Sequence, residues 1–286
     1  MFFTPILRHE DFRIRLTLAI VVFISFGCDD PKQMEENEER EYIFYKPEGL
    51  QKNSPLVLVL HGYTSSAETI QWYSQMNEIA DEHGFAVCYP QGTDDNNGIP
   101  HWNANLKISD VDDIKFLTEL AQTLQDIHSL DPARTFVCGM SNGGFMSYTL
   151  ACEAPEIFKA IASVTGTMSG QTWRTCEPTN AIPVFQISGI DDEVVPIDGS
   201  MNTYGGWGGA PSMDEIISFW ADQNNCTSID TTYYPENTEA YYHNNCLGEN
   251  EVWYYKINNW GHEWPRENSG TGTTASKAIW EFFSKF

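Results

Sequence analysis

Gly139-Met140-Ser141-Asn142-Gly143 is the stretch on which the reading of this chain turns. A G-x-S-x-G pentapeptide between a strand and a helix bends the backbone so sharply that the serine hydroxyl stands exposed at the turn. Small residues are needed on both sides of Ser141, because side chains there would collide with neighbouring backbone. The surroundings fit. Thr135-Phe136-Val137-Cys138 has the character of a short buried strand, Gly144 allows close packing behind the turn, and Phe145 to Ala151 continues as a helix. Such a loose pentapeptide recurs by chance, so its weight comes from the rest of the chain.

Working outward, strand and helix alternate. Tyr42-Ile43-Phe44-Tyr45 reads as an edge strand. Leu56 to Leu60 is apolar on both faces, as a central strand of a parallel sheet must be. Ile70 to His83 carries Trp72, Met76, Ile79 and Ala80 at helical spacing and stops at Gly84. Phe85 to Tyr89 is the next strand, and Asp113 to Leu130 a long amphipathic helix. After the Ser141 turn come strands at Ala160 to Val164 and Val184 to Ile187. Ser212 and Glu215 then make a capping box for a helix through Trp220. Val252 to Ile257 is the last strand and Thr274 to Phe286 the last helix. This order predicts a single-domain α/β fold, a doubly wound and mostly parallel sheet with helices on both faces, over residues 42–286. Ser200 to Pro211, rich in glycine, is the one long irregular insertion.

A serine hydroxyl is a weak nucleophile and needs a base, an orienting carboxylate and donors for the oxyanion. The strand ending at Ser188-Gly189 runs into Ile190-Asp191-Asp192-Glu193-Val194-Val195-Pro196, which offers the carboxylate. Asp192 is the choice and Asp191 the alternative. Past the last strand, Asn258-Asn259-Trp260-Gly261-His262 offers the base. A loop histidine is ordinarily just solvated; its position downstream of both Ser141 and Asp192 raises His262 above that. His83, His128 and His243 suit structural roles, and His101 at most a substrate-side one. The oxyanion donors are then the amides of Asn142, after the nucleophile, and of Tyr63, after His61-Gly62 at the end of the central strand. Each such donor is worth about 3 kcal/mol at the transition state. Trp102, Tyr204, Trp207 and Trp264 are candidates to stack on a substrate ring, with core packing as the equal alternative for each.

Taken together these segments resemble the α/β-hydrolase family of polyhydroxybutyrate-depolymerase-type esterases, which includes feruloyl and acetyl-xylan esterases. The matching pieces are Leu60-His61-Gly62, Tyr89-Pro90-Gln91-Gly92, Val111-Asp112-Asp113-Ile114, Gly139 to Gly144, Leu150-Ala151-Cys152-Glu153, Gly189 to Pro196 and Gly261-His262-Glu263-Trp264-Pro265, in family order. The resemblance implies the α/β-hydrolase fold, a triad of Ser141, Asp192 and His262, and a Cys226–Cys246 bridge beside the histidine-bearing strand. The chain departs from the pattern at Ser188, where histidine is common, at Glu193, where proline is frequent, and at Tyr63, bulkier than usual. Polymer-degrading members add a linker and a polymer-binding domain, which are not seen here. A feruloyl or acetyl ester of a plant cell-wall polysaccharide is therefore the expected substrate. A 3-hydroxybutyrate oligomer is the alternative, ahead of a prolyl-peptidase-like hydrolase or a non-catalytic glycan-binding lipoprotein. The chemistry calls for neither cofactor nor metal.

Bulk properties set the remaining bounds. With 286 residues and 41% hydrophobic content the chain can bury a sizeable core. A formal charge of −24 argues against nucleic acid and against charge-driven binding to anionic membrane. Arg8, Arg13 and Arg15 precede an apolar stretch from Leu16 to Phe26 that ends at Gly27-Cys28. That stretch is too short for a bilayer, which needs about 20 residues, and suits a signal peptide. Residues 1–28 thus read as an export signal ending at a lipoprotein cysteine, Cys28, the chain's only expected membrane attachment. Residues 29–41 read as an acidic tether. In an oxidising compartment Cys226 and Cys246, flanking a polar loop, are a disulfide pair, with Cys152 and Cys176 a second candidate. Cys88 and Cys138 sit in apolar runs and read as core residues.

Overall fold

The computed structural model describes residues 40–286, together with the backbone of a short strand at 12–16. The call on Cys28, and those on 1–28 and 29–41 apart from residues 12–16, 40 and 41, lie outside the described residues. Strand β1, Phe12–Leu16, falls inside the span read as an export signal and pairs antiparallel with β2, Arg40–Tyr45. The segment read as tether therefore ends two residues early. Arg40 belongs to β2, and its guanidinium meets the buried carboxylate of Asp113 at 2.8 Å.

Six parallel strands form the middle of the sheet: β3 (Leu56–Leu60), β4 (Ala86–Pro90), β5 (Thr135–Met140), β6 (Ile161–Val164), β7 (Val184–Gly189) and β10 (Val252–Ile257). The spatial order is β1-β2-β4-β3-β5-β6-β7-β10-β9-β8. Side chains alternate across the pleat, so Leu56, Leu58 and Leu60 of β3 enter one apolar layer and Val57 and Val59 the other. The first layer is closed by α3 (Asp113–His128), α4 (Asn142–Glu153) and α6 (Met213–Gln223), through residues such as Leu120, Leu150 and Trp220. The second is closed by α1 (Ala67–Ser74), α2 (Met76–His83) and α7 (Ala275–Phe283), through Ile70, Ile79 and Phe282. Covered on both faces, the central strands are fully buried, which their unbroken apolar runs require. The architecture is the α/β-hydrolase fold.

Two local expectations are corrected. The helix read over 70–83 is two helices, because Gln75 adopts the left-handed conformation (φ 54°) and ends α1. The segment between Cys226 and Cys246, read as a loop, is an antiparallel hairpin of β8 (Ser228–Tyr234) and β9 (Thr238–Asn244). Both disulfides form: Cys226 with Cys246, and Cys152 with Cys176. Cys88 and Cys138 are buried and free. The capping box at Ser212 and Glu215 is present as read.

Candidate active site

Ser141 stands between β5 and α4 with φ 53° and ψ −119°, a strained conformation for a residue with a side chain. Its surroundings impose the strain. A Cβ on Gly139 would overlap the Gly143 carbonyl, one on Gly143 the Leu60 carbonyl oxygen, and one on Gly144 the Ser163 hydroxyl. Three close approaches thus lock the turn against β3 and β6. The backbone closes it with Ser141 N–H donating to the Val164 carbonyl at 2.9 Å and Phe145 N–H donating to that of Ser141 at 2.9 Å.

Asp192 follows the end of β7 and is buried, while Asp191 beside it is exposed. The Asp192 Oδ1 accepts from the amides of Val194 (2.9 Å) and Val195 (2.8 Å). Its Oδ2 lies 2.8 Å from Nδ1 of His262, whose side chain is 20% exposed. With a carboxylate as partner, Nδ1 carries the hydrogen and Nε2 is left with a lone pair. The histidine loop rests on the acid strand. A Cβ on Gly189 would overlap the Trp260 carbonyl, and Asp191 N–H donates to that same carbonyl at 3.0 Å. Among the described residues Ser141 Oγ has no hydrogen-bond partner; nucleophile–base bonds often tighten only with substrate in place.

The amides of Tyr63 and Asn142 donate to no protein acceptor among the described residues. A Cβ on Gly62, next to Tyr63, would lie 3.5 Å from the Cβ of Ser141, so the two loops meet at the serine. His61 shapes its loop from inside the core. Its Nε2 accepts from Gly92 N–H at 2.9 Å, and its Nδ1 donates to the Gly62 carbonyl at 2.8 Å. Burial lowers its pKa from the ordinary 6.5 to about 4, so the ring is neutral and matches both partners. Tyr63 is fixed at its far end, where the hydroxyl donates to Asp95 at 2.8 Å. Burial first, and then the Asp95 carboxylate, push that hydroxyl up to about 12, so it stays a donor.

The four ring candidates divide. Trp207 packs edge-on against Tyr63 (5.1 Å between ring centroids) and against Phe145 (5.9 Å), so it belongs to the wall beside the serine. Tyr204, in the same loop, is 81% exposed and makes no ring contact among the described residues. Trp102 and Trp264 are corrected: at 0% and 1% exposure neither offers a face to a substrate. The Trp102 indole donates to the His61 carbonyl (3.0 Å) and that of Trp264 to Ser276 Oγ (3.1 Å), so both are satisfied core residues. His101 is buried too, held by Thr93 and Ser109. The sequence reading missed Asp95 and the structural task of Gly92. Gly92 lies in the quoted Tyr89-Pro90-Gln91-Gly92 segment, but nothing in the chain's linear order says that it faces His61.

A strained serine at a strand–helix turn, with an Asp–His pair carried by two later strands, defines an α/β-hydrolase. The chain belongs to the family described as esterase PHB depolymerase, whose model matches residues 40–228. Feruloyl esterase B of Piromyces equi is 26% identical over 86% of this chain and 45% of its own length. Poly(3-hydroxyalkanoate) depolymerase C of Paucimonas lemoignei is 31% identical over 42% of this chain and 30% of its own. The chain thus spans less than half the length of either relative. The solved acetyl xylan esterase from Aspergillus awamori superposes with a TM-score of 0.62 at 17% identity, covering 86% of this chain and 94% of that one, a likeness of fold.

Proposed function

We propose that this chain is an exported serine carboxyl-ester hydrolase that works through an acyl-enzyme. The observation that carries the reading is the His262–Asp192 pair: a buried carboxylate 2.8 Å from Nδ1 of a partly exposed loop imidazole. His262 Nε2 takes the proton of Ser141 as Oγ attacks the ester carbonyl, and the Tyr63 and Asn142 amides receive the oxyanion. The imidazolium then protonates the departing alcohol, leaving an acylated Ser141. Water gives a proton to His262 as it attacks that acyl group, and the serine regains its proton as the acid leaves.

Feruloyl or acetyl esters of plant cell-wall polysaccharide are the proposed substrates, and the wall of Tyr63, Trp207 and Phe145 is suited to a flat or small acyl group. The match to a poly(3-hydroxyalkanoate) depolymerase favours hydroxybutyrate oligomers as the second reading. Export through residues 1–28, with lipid attachment at Cys28, rests on the basic, apolar and cysteine pattern of that segment. Initial rates on methyl ferulate, an acetylated xylo-oligosaccharide and a 3-hydroxybutyrate trimer test the assignment, with Ser141→Ala as control. Preference for either of the first two supports the cell-wall reading, and preference for the trimer replaces it. Full activity in Ser141→Ala sinks the nucleophile.

A further inference from the structure

The chain has nine tryptophans, and among them only Trp72 is exposed, at 67%. It lies on α1, which follows directly from the loop that carries Tyr63. Its indole is far from idle. The ring lies nearly parallel to that of its neighbour Tyr73 (12° between planes, centroids 6.1 Å apart). The guanidinium of Arg266 sits over both, 5.2 Å from the Trp72 ring and 5.1 Å from that of Tyr73. Tyr73 in turn accepts a hydrogen bond on its hydroxyl from Trp264 N–H at 3.3 Å. Arg266 and Trp264 both belong to the loop that presents His262. One patch is therefore built from the loop-and-helix that supplies the proposed oxyanion donor and the loop that supplies the proposed base.

A cation over the paired rings holds the indole in place and leaves much of its surface in water. The shape is a flat, pre-positioned apolar plate with a multi-donor guanidinium over part of one face and the rest of the indole open to water. That suits a pyranose, whose ring carbons give a flat C–H face and whose hydroxyls lie around the rim.

We infer that Trp72, with Tyr73 and Arg266, forms a subsite for a sugar ring of the glycan that carries the scissile ester. The inference rests on the proposed ester hydrolysis: in a feruloyl or acetyl polysaccharide ester the sugar is the leaving alcohol, so a sugar subsite must adjoin the histidine that protonates it. A hydroxyalkanoate chain has no such ring and no rim of hydroxyls to meet the guanidinium.

The test compares wild type, Trp72→Ala and Trp72→Phe, as full-length protein, on methyl ferulate and on a feruloylated xylo-oligosaccharide. Trp72→Ala should raise KM for the oligosaccharide several-fold, up to about tenfold, with Trp72→Phe between. KM and kcat for methyl ferulate should not move. An unchanged KM for the oligosaccharide, or an equal rise for both esters, overturns the subsite. A rise for a 3-hydroxybutyrate trimer with none for the oligosaccharide overturns the sugar as occupant. If the wild type hydrolyses neither feruloyl ester, the feruloyl reading has failed, and binding then decides. Ser141→Ala titrated with unesterified xylohexaose should show a change in tryptophan fluorescence that the Ser141→Ala, Trp72→Ala double variant lacks; no change in either overturns the subsite.

Discussion

Asn142 and Trp102 hold each other by two hydrogen bonds: Trp102 N–H donates to Asn142 Oδ1 at 2.6 Å, and Asn142 Nδ2 donates to the Trp102 carbonyl at 2.9 Å. The asparagine side chain thus mimics a strand partner for a buried loop. Its own backbone N–H, at the first turn of α4, donates to no protein acceptor among the described residues. Asn142→Ala strands the buried Trp102 N–H at about 1–3 kcal/mol, leaves the Trp102 carbonyl with only the Ala104 N–H, and loosens the residue whose amide is the proposed oxyanion donor. Urea unfolding should show that loss, and kcat should fall with little change in KM. A variant with unaltered kcat would show that the side-chain bonds to Trp102 do not position the amide.

Asp192→Asn keeps the shape of the acid loop but puts an amide opposite His262 Nδ1. The amide nitrogen can donate to Nδ1, which favours the tautomer with no lone pair on Nε2. The expected loss in kcat is about 10⁴, with a folded protein and near-normal melting temperature. Asp191→Asn, at an exposed position, should leave the rate within about twofold. The reverse ranking would exchange the two roles.

Acid should weaken the fold through His61. Its folded pKa of about 4 lies below the ordinary 6.5, so the unfolded chain binds the extra proton between those values. Stability contributed by the neutral ring is complete above pH 6.5 and is lost as pH falls toward 4, by about 3 kcal/mol over the window. Unfolding free energies measured from pH 7 to pH 4 should fall more steeply in wild type than in His61→Gln. Equal slopes would exclude His61 as the titrating group.

The Cys152–Cys176 bridge ties the last turn of α4 to the residue after α5 (Gly170–Thr175), across 24 positions of sequence. Replacing both cysteines by alanine should cost about 3 kcal/mol, through freedom restored to the unfolded chain. Wild type measured in strong reductant should approach the double variant. If the two melting temperatures in reductant differ as much as they do without it, the bridge is not the cause.

Much of this was readable in advance, and the misses have physical reasons. The Ser141 turn, Asp192 and His262 were legible because the fold demands a carboxylate and a histidine after later strands, and the apolar runs mark those strands. Trp72 was misread for a definite cause. Spaced four residues before Met76, it would share the buried face of one continuous helix, but the left-handed Gln75 resets the phase. Ile70 and Ser74 of α1 face inward, and Trp72 turns out to water. Trp102 and Trp264 erred the other way. Proximity in sequence to a site residue says nothing of which side of the loop the ring takes, and both indoles found buried acceptors. The hairpin β8–β9 was hidden because its outer strand is largely solvated and lacks the apolar run by which the central strands announce themselves.

The order in which the sheet is threaded has a consequence for biosynthesis. The Ser141 turn is complete once β3, β5 and β6 are together, all within the first 164 residues. His262 arrives only when β10 pairs with β7, after the hairpin has been made, and beyond the end of the family match at residue 228. A nascent chain can therefore hold a finished turn and acid loop while still unable to deprotonate the serine. On the proposed mechanism the enzyme is silent throughout its synthesis, and it switches on as its last strand docks.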